Sequence, residues 1–167
     1  MHVSLRREVA ESRVGRIGLA ILALVVLGAA LAPLLSGSPP LQQSTSSLMP
    51  PSLDHMLGTN QVGQDIWSRL LYGARTSLLV GLSVGLLNVL LGIVFGVSAA
   101  LLGGIYERAV MRLVDALIVI PPVLVVILVG AYVKPGLPVL ILLLAGLSWP
   151  SSARIIRAQA LTLKESG

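Results

Sequence analysis

The chain has 167 residues, of which 55% are hydrophobic and only 11% are charged, and its formal net charge is +5. Soluble domains carry about a quarter charged residues, so this composition excludes an ordinary soluble domain and indicates an integral membrane protein. There is no cysteine and there are only two histidines, which excludes disulfides and thiolate sites and argues against a histidine-built metal or acid–base centre. The arginines flank apolar segments, a pattern that favours membrane orientation over nucleic-acid binding.

Apolar stretches of the length that crosses a bilayer, about 20 residues, occur four times along the chain. Each is predicted to be helical, because an isolated strand would leave backbone groups unsatisfied in lipid. The first is expected to be an uncleaved span, since no small-residue cleavage site follows it. The predicted order is a cytoplasmic arm at 1–16, span one at 17–35, an extracytoplasmic loop at 36–76, span two at 77–102, a cytoplasmic loop at 103–112, span three at 113–133, a short outer turn at 134–136, span four at 137–153 and a cytoplasmic tail at 154–167.

The basic residues are distributed unequally between the two sides of this topology. Three of the twelve, Arg69, Arg75 and Lys134, fall on one side, and the other nine fall on the side that holds the N-terminus. Cytoplasmic segments carry the excess of Lys and Arg. The distribution therefore predicts a cytoplasmic N-terminus and places the long loop outside.

A polar, glycine-containing block ends that loop and reads HMLGTNQVGQDIWSRLLYGARTSL from His55 to Leu78. Its part from Gly63 to Tyr72 is predicted to form a short helix at the outer surface, with Trp67 and Tyr72 as interfacial anchors. An ordered loop helix without any chemistry is the alternative interpretation. The polar side chains of the block are not spaced as a catalytic set, so an active-site loop is not expected.

The layout of this block resembles the segment before the second span of dipeptide/oligopeptide/nickel-type ABC importer permeases. The chain departs from the family pattern at Gln64, where the family usually has Arg. The residues that carry the resemblance are His55, Leu57, Gly58, Thr59, Asn60, Gly63, Asp65, Ser68, Arg69, Gly73, Arg75, Ser77 and Leu78.

Span two carries small residues at intervals of three and four. At roughly 100° per residue they share one face of the helix. Small residues let helix backbones approach closely in lipid, so this stripe predicts a helix-packing face, with a wall of the translocation path as the alternative. Its members are Gly81, Gly85, Asn88, Gly92 and Gly96.

Span three holds an acidic residue, a basic residue and a pair of prolines. Arg112 and Asp115 are three residues apart, so they are predicted to pair near the cytoplasmic boundary, with a proton relay as the alternative. Pro121 and Pro122 predict a kink in mid-span, which serves either as a hinge or as a static bend. The same family resemblance extends to these residues through Met111, Arg112, Val114, Asp115 and Pro121, and to span four through Gly146–Pro150, Ala153, Arg154 and Arg157.

The resemblance implies an all-α polytopic bundle of the type-I ABC importer (MetI-like) kind, with four spans present of an expected six. The permease domain would run from about residue 75 to 167 and stop before the coupling loop, either as a fragment or as a truncated product. The implied partners are a second homologous permease, two ATP-binding subunits, an extracytoplasmic solute-binding protein and the bilayer, with no nucleic acid.

The function implied is that of a transport subunit and not of an enzyme. The sequence has no G-x-x-x-x-G-K-[ST] motif, so no cofactor is expected in this chain and ATP would be used by the partner subunits. A secondary transporter or channel subunit and a non-transporting membrane scaffold remain as alternatives. Peptides, nickel and glutathione-like solutes are not separated by any residue of the sequence.

Overall fold

A computed structural model describes residues 12–134 and 136–165. Within these residues the helices are α1 (Arg13–Ala30), α2 (Ala32–Leu35), α3 (Ile66–Leu102), α4 (Gly104–Val119), α5 (Pro122–Tyr132) and α6 (Leu137–Glu165). Among the described residues there is no strand, only an isolated antiparallel bridge between Thr59 and Asp65. The segments predicted at residues 1–11, at 135 and at 166–167 lie outside the described part of the chain.

In the described part of the chain, three helices are long and apolar enough to cross a membrane, namely α1, α3 and α6. The pair α4 and α5 passes the same test jointly, but the two helices are bent by 70° at the break between them, so the pair forms either one broken span or a re-entrant loop. The prediction of an all-α integral membrane protein is confirmed, with three spans or, if the bent pair is one span, four.

The beginning of α3 differs from the prediction. The helix starts at Ile66 and runs without interruption to Leu102 over 37 residues, so the predicted boundary at residue 77 and the separate surface helix from Gly63 to Tyr72 are wrong. Gly73 is the weakest helix former between the two predicted segments, and a single glycine costs only about 1 kcal/mol within a helix. No proline stands there to end the helix.

Two predicted connections are also helical. α4 begins at Gly104, inside the predicted loop at 103–112, and α6 continues to Glu165 through the predicted tail at 154–167. Both segments carry charged side chains, which lower hydropathy without lowering helix propensity much. Hydropathy therefore marked the limits of the apolar stretches and not the ends of the helices.

The chain forms two compact units, Met1–Leu79 and Val80–Gly167. In the first, α1, α2, the loop and the start of α3 come together, and Leu71 is buried. In the second, Val114 of α4 and Trp149 and Ala153 of α6 form a buried cluster. Phe95 of α3 packs on this cluster, with its ring centroid 4.6 Å from that of Trp149.

Candidate functional site

The polar block is folded around the first turn of α3 by the carboxylate of Asp65. The backbone N–H of Ser68 donates to Asp65 Oδ2 at 2.8 Å, and His55 Nδ1 lies 3.2 Å from Asp65 Oδ1. Side-chain oxygens at the start of a helix satisfy N–H groups that have no partner within the helix. Asp65 is thus the residue at which the loop ends and α3 begins.

Asp65 is buried, and the groups around its carboxyl lower its pKa. Burial by itself raises the pKa of Asp65, but hydrogen bonds from Ser68 and the contact with His55 outweigh burial and leave the pKa below its ordinary value of 3.8. Hydrogen bonds to a carboxylate favour its charged form. Ionised Asp65 is therefore a structural anchor at neutral pH.

Two glycines of the block adopt backbone conformations that other residues rarely take. Gly58 has φ +74° and Gly63 has φ +71°, and a Cβ on either would collide with backbone carbonyl oxygens, those of Met49 and Ser44 respectively. Glycine alone tolerates both the positive φ and the close approach. These two positions let the loop turn back on itself, and Thr59 Oγ1 fastens it by donating to the carbonyl of Ser46 at 2.6 Å.

Gln64 is the centre of a second polar network in the block. Its Oε1 accepts from Asn60 Nδ2 at 2.9 Å and from the guanidinium of Arg69, and its Nε2 donates to the carbonyl of Leu41 at 3.3 Å. An amide can accept and donate at the same time, whereas an arginine here would only donate. At Gln64, where the family usually has Arg, both the oxygen and the nitrogen of the side-chain amide therefore have hydrogen-bond partners within this chain.

Two further residues of the block, Gly73 and Arg75, lie outside the folded loop. Gly73 and Arg75 belong to α3, one and two turns beyond the folded loop, and both are exposed. A Cβ on Gly73 would meet nothing within 4 Å. Trp67, near the start of α3, donates from Nε1 to the carbonyl of Leu35 at 3.1 Å, which ties the end of α2 to α3.

The structure places the members of the glycine stripe in two different environments. A Cβ on Gly92 would lie 2.9 Å from Ile156 Cδ1 and 3.0 Å from Ser152 Cβ, and one on Gly96 would lie 2.7 Å from the carbonyl oxygen of Ala153. These two glycines are therefore in close contact with α6. Gly81 and Gly85 have no described atom within 4 Å of the Cβ position.

Asn88 lies between the covered and the open halves of the stripe. Its Oδ1 is buried and has no hydrogen-bond partner among the described residues. An unsatisfied buried amide oxygen costs about 1–3 kcal/mol. Asn88 is thus the one member of the stripe with an unsatisfied buried polar atom among the described residues.

The predicted pair of Arg112 and Asp115 is wrong. Asp115 pairs with Arg154 of α6, and both side chains are more than half exposed, at 64% and 51%. The spacing of Arg112 and Asp115 permits a contact along one helix, but the packing of α4 on α6 brings Arg154 to Asp115 instead.

A second ion pair between the same helices was not foreseen from the sequence. Arg157 of α6 donates from Nε to Glu107 Oε1 at 2.8 Å and from Nη2 to the same oxygen, and both side chains are mostly buried. Lys164 also reaches the end of α3, with Nζ 3.3 Å from the carbonyl of Ala100. The only indication in the sequence is that the predicted loop at 103–112 contains one acidic residue, Glu107, and that the predicted tail on the same side is basic.

Pro121 and Pro122 lie where α4 ends and α5 begins, at the 70° bend. Proline has no N–H, so the helix ladder is interrupted at this point. The backbone N–H of Ile120 donates to the carbonyl of Leu117 at 3.2 Å, and that of Leu124 donates to the carbonyl of Pro121 at 3.1 Å.

The described residues contain no group of three or more His, Cys, Asp or Glu that could hold a metal ion.

Residues 92–167 match the family described as binding-protein-dependent transport system inner membrane component. The chain is 40% identical over 161 residues to a Brucella suis protein whose name assigns it to a peptide transport system as a permease, covering 96% of this chain and 54% of that protein. It is 37% identical over 159 residues to the dipeptide transport system permease protein DppC of Bacillus subtilis, covering 95% and 50%. It is 35% identical over 158 residues to the oligopeptide transport system permease protein OppC of the same organism, covering 92% and 51%. The chain thus spans about half the length of the curated relatives it matches.

Proposed function

We propose that the chain is a permease subunit of an ATP-driven importer, because residues 92–167 match the family described as binding-protein-dependent transport system inner membrane component. In this proposal it forms a translocation path across the membrane together with a second, homologous permease. Two ATP-binding subunits supply the energy, since this sequence carries no phosphate-binding P-loop of its own. An extracytoplasmic binding protein delivers the solute.

We propose di- or oligopeptides as the solute. The support is that three relatives, at 35–40% identity, carry names that refer to peptide, dipeptide and oligopeptide transport. Nickel and glutathione-like solutes, which the sequence leaves open, have no such support among these relatives. The family match carries the proposal of a permease, and the names of these relatives carry the proposed solute.

The geometry of the second unit is suited to the rigid-body movement that alternating access requires. α3 and α6 touch at Gly92 and Gly96, and α4 is held to α6 by the pair of Glu107 and Arg157. Helices joined in this way move together. The bend at Pro121 and Pro122 separates α5 from α4 and is the position at which one part of the path can turn relative to the other.

We further propose that the N-terminus is cytoplasmic, on the basis of the nine basic residues of its side against three. The folded block from His55 to Arg69 then lies on the outer face, where a binding protein docks. Its hydrogen bonds through Asp65 and Gln64 make it a stiff surface, and Arg69 is exposed on it. Preformed surfaces of this kind bind with a smaller ordering cost.

The experiment is uptake in a bacterial strain that carries this transporter, with the gene for this subunit replaced by variants at its own locus. We expect uptake of a radiolabelled dipeptide to be lost on deletion, to stop on depletion of ATP, and to survive an uncoupler when ATP is maintained. Gly96→Leu should abolish uptake, while Gly18→Leu, at a position with nothing within 4 Å of the Cβ, should not. Uptake that collapses with the uncoupler while ATP is maintained would contradict an ATP-driven importer. Uptake of labelled nickel, without uptake of the dipeptide, would show that nickel and not peptide is the solute.

A further inference from the structure

Pro150 lies inside α6, and its lack of an N–H removes one hydrogen bond from the helix. In an α-helix each N–H donates to the carbonyl four residues earlier, so the acceptor that loses its donor is the carbonyl oxygen of Gly146. Among the described residues, no side chain donates to this oxygen. The carbonyl of Gly146 is therefore a backbone acceptor that this chain leaves without its usual partner.

Gly146 lies in the middle of the uncharged part of α6. It is nine residues after Leu137 and eight residues before Arg154, the first charged residue of the helix, which is about 12–14 Å from either at the helical rise. When this part of α6 crosses the hydrocarbon core, which is about 30 Å thick, the carbonyl lies near the centre of the membrane. Unsatisfied backbone groups are costly in lipid and are tolerated there only where protein or water meets them.

The side of α6 that carries Gly146 is open. A Cβ on Gly146 would meet no described atom within 4 Å. Leu142 and Val139, four and seven residues earlier, lie on the same side and are 64% and 49% exposed. Leu144 lies at nearly the same depth on the opposite side of the helix and is partly buried. The part of α6 around the Gly146 carbonyl is therefore uncovered on one side only.

α3 covers the same side of α6, but only further along the helix. The contact begins where the Cβ position of Gly92 meets Ser152, and it continues where that of Gly96 meets the carbonyl of Ala153. Gly146 lies more than one turn before the start of this contact. The side of α6 that is packed in its second half is therefore open in its first half, and Gly146 stands next to the change.

The residues around Gly146 argue against a second helix packed on the open side. Close helix packing in lipid uses small residues on successive turns. Here Leu142 and Val139 occupy the two turns before Gly146, and Trp149 follows it. Bulky side chains on the neighbouring turns keep another helix away, but the missing side chain of Gly146 leaves room for a small donor such as water or an N–H group.

We propose that the Gly146 carbonyl is a polar contact on the wall of the translocation path. It accepts hydrogen bonds from water when the path is empty and from N–H or ammonium groups of the solute during transport. The proposal rests on the permease function proposed above and adds a residue that touches the solute. Peptides carry backbone N–H donors along their length. A neutral carbonyl binds such donors weakly enough to let a passing solute leave, as transport requires.

The lack of cysteine in the sequence permits a direct test of water access. In the assembled transporter, Gly146→Cys and Leu142→Cys should react with a charged methanethiosulfonate reagent, because thiolates form in water and not in apolar surroundings. We expect them to react roughly tenfold faster than Leu144→Cys, the control at the same depth on the opposite side. The label is read on this subunit after electrophoresis. Binding protein loaded with a dipeptide, together with ATP, should slow the reaction of Gly146→Cys and leave that of Leu144→Cys unchanged.

Two further substitutions test the carbonyl itself. Pro150→Ala returns an N–H to the helix and so satisfies the Gly146 carbonyl, and Gly146→Leu covers it with a side chain. Each should lower dipeptide uptake by roughly three- to tenfold at an unchanged amount of assembled complex, since each removes one hydrogen bond to the solute. Pro138→Ala is the matched control and should leave uptake unchanged, because it lies in the first turn of α6, where N–H groups have no partner within the helix.

A reaction of Gly146→Cys no faster than that of Leu144→Cys would overturn the proposal, and so would a cross-link from Gly146→Cys to a helix of another subunit. Labelling that the loaded binding protein does not slow, or normal uptake in both Pro150→Ala and Gly146→Leu, would exclude a contact with the solute. Failure of the proposed function is seen separately, because dipeptide uptake is then missing in the unaltered protein while the reactivity of Gly146→Cys can still be measured.

Discussion

Gly96 of α3 and Ala153 of α6 are so close that a Cβ on Gly96 would lie 2.7 Å from the carbonyl oxygen of Ala153. Ala153 is itself fully buried, and Arg157, one turn later, forms the ion pair with Glu107. The glycine thus sets the distance between two spans and, through it, the position of the charged residues that join α6 to α4.

We expect Gly96→Leu to separate α3 from α6 and to lower the amount of assembled complex several-fold. Overpacking of a close contact costs about 1–3 kcal/mol, and a backbone carbonyl cannot move aside as a side chain can. The measurement is the yield of complex after affinity purification through another subunit. Gly146→Leu in α6, where nothing lies within 4 Å of the Cβ, is the matched control and should assemble normally.

The two halves of the glycine stripe should respond differently. Gly92→Leu is expected to disturb the contact with α6 within this chain and to lower its own thermal stability. Gly85→Leu faces no described atom, so the isolated subunit should tolerate it, while assembly with a second permease should fall if that partner packs there. Thermal unfolding of the isolated subunit and co-purification of the complex give the two readouts. Normal assembly of both variants would contradict a packing face.

The ion pair of Glu107 and Arg157 should contribute more than that of Asp115 and Arg154. The first pair is mostly buried, with side chains 22% and 28% exposed, and a charged hydrogen bond in such a place contributes about 1.5–3 kcal/mol. The second is largely exposed and should contribute about 1 kcal/mol or less. Thermal stability of Glu107→Gln and Asp115→Asn, each in a double-mutant cycle with the partner arginine changed to Gln, measures the two couplings. A larger coupling for the exposed pair would contradict this order.

Asp65 should make the folded block sensitive to acid. Because its pKa in the folded protein lies below the ordinary 3.8, the ionised form stabilises the block above that pH, and this contribution is lost as the pH falls through the folded value. Protease protection of the segment from Ser44 to Arg69 is therefore expected to drop below about pH 4. In Asp65→Asn protection should already be reduced at neutral pH and should show no such step.

If the block docks a binding protein, Arg69→Ala should weaken the dependence of uptake on that protein. Asp65→Ala should do the same indirectly, by loosening the first turn of α3, which holds Arg69. The measurement is dipeptide uptake in cells as a function of binding-protein level. Arg75→Ala is a control of the same charge, since Arg75 lies in α3 beyond the folded loop. Unchanged uptake in both Arg69→Ala and Asp65→Ala would leave the block as a scaffold.

The membrane class, the helical fold and the family resemblance could be predicted from the amino-acid sequence alone, and the family match and the relatives confirm that resemblance. These follow from hydropathy and from motifs that are local in the chain, so they can be read without coordinates. The helix ends could not be predicted in this way. Hydropathy falls over Ile66–Thr76 and after Ala153 because these residues are more polar, although the helix continues through both segments.

Which side chains meet between helices that are distant in sequence depends on how those helices pack. Asp115 has Arg112 three residues away but pairs with Arg154, 39 residues along the chain, and Glu107 pairs with Arg157 at a separation of 50. The sequence shows that Gly81, Gly85, Gly92 and Gly96 share one face, but not that α6 covers only the last two. The physical reason is that helical periodicity specifies a face, whereas the neighbour on that face depends on how distant helices cross.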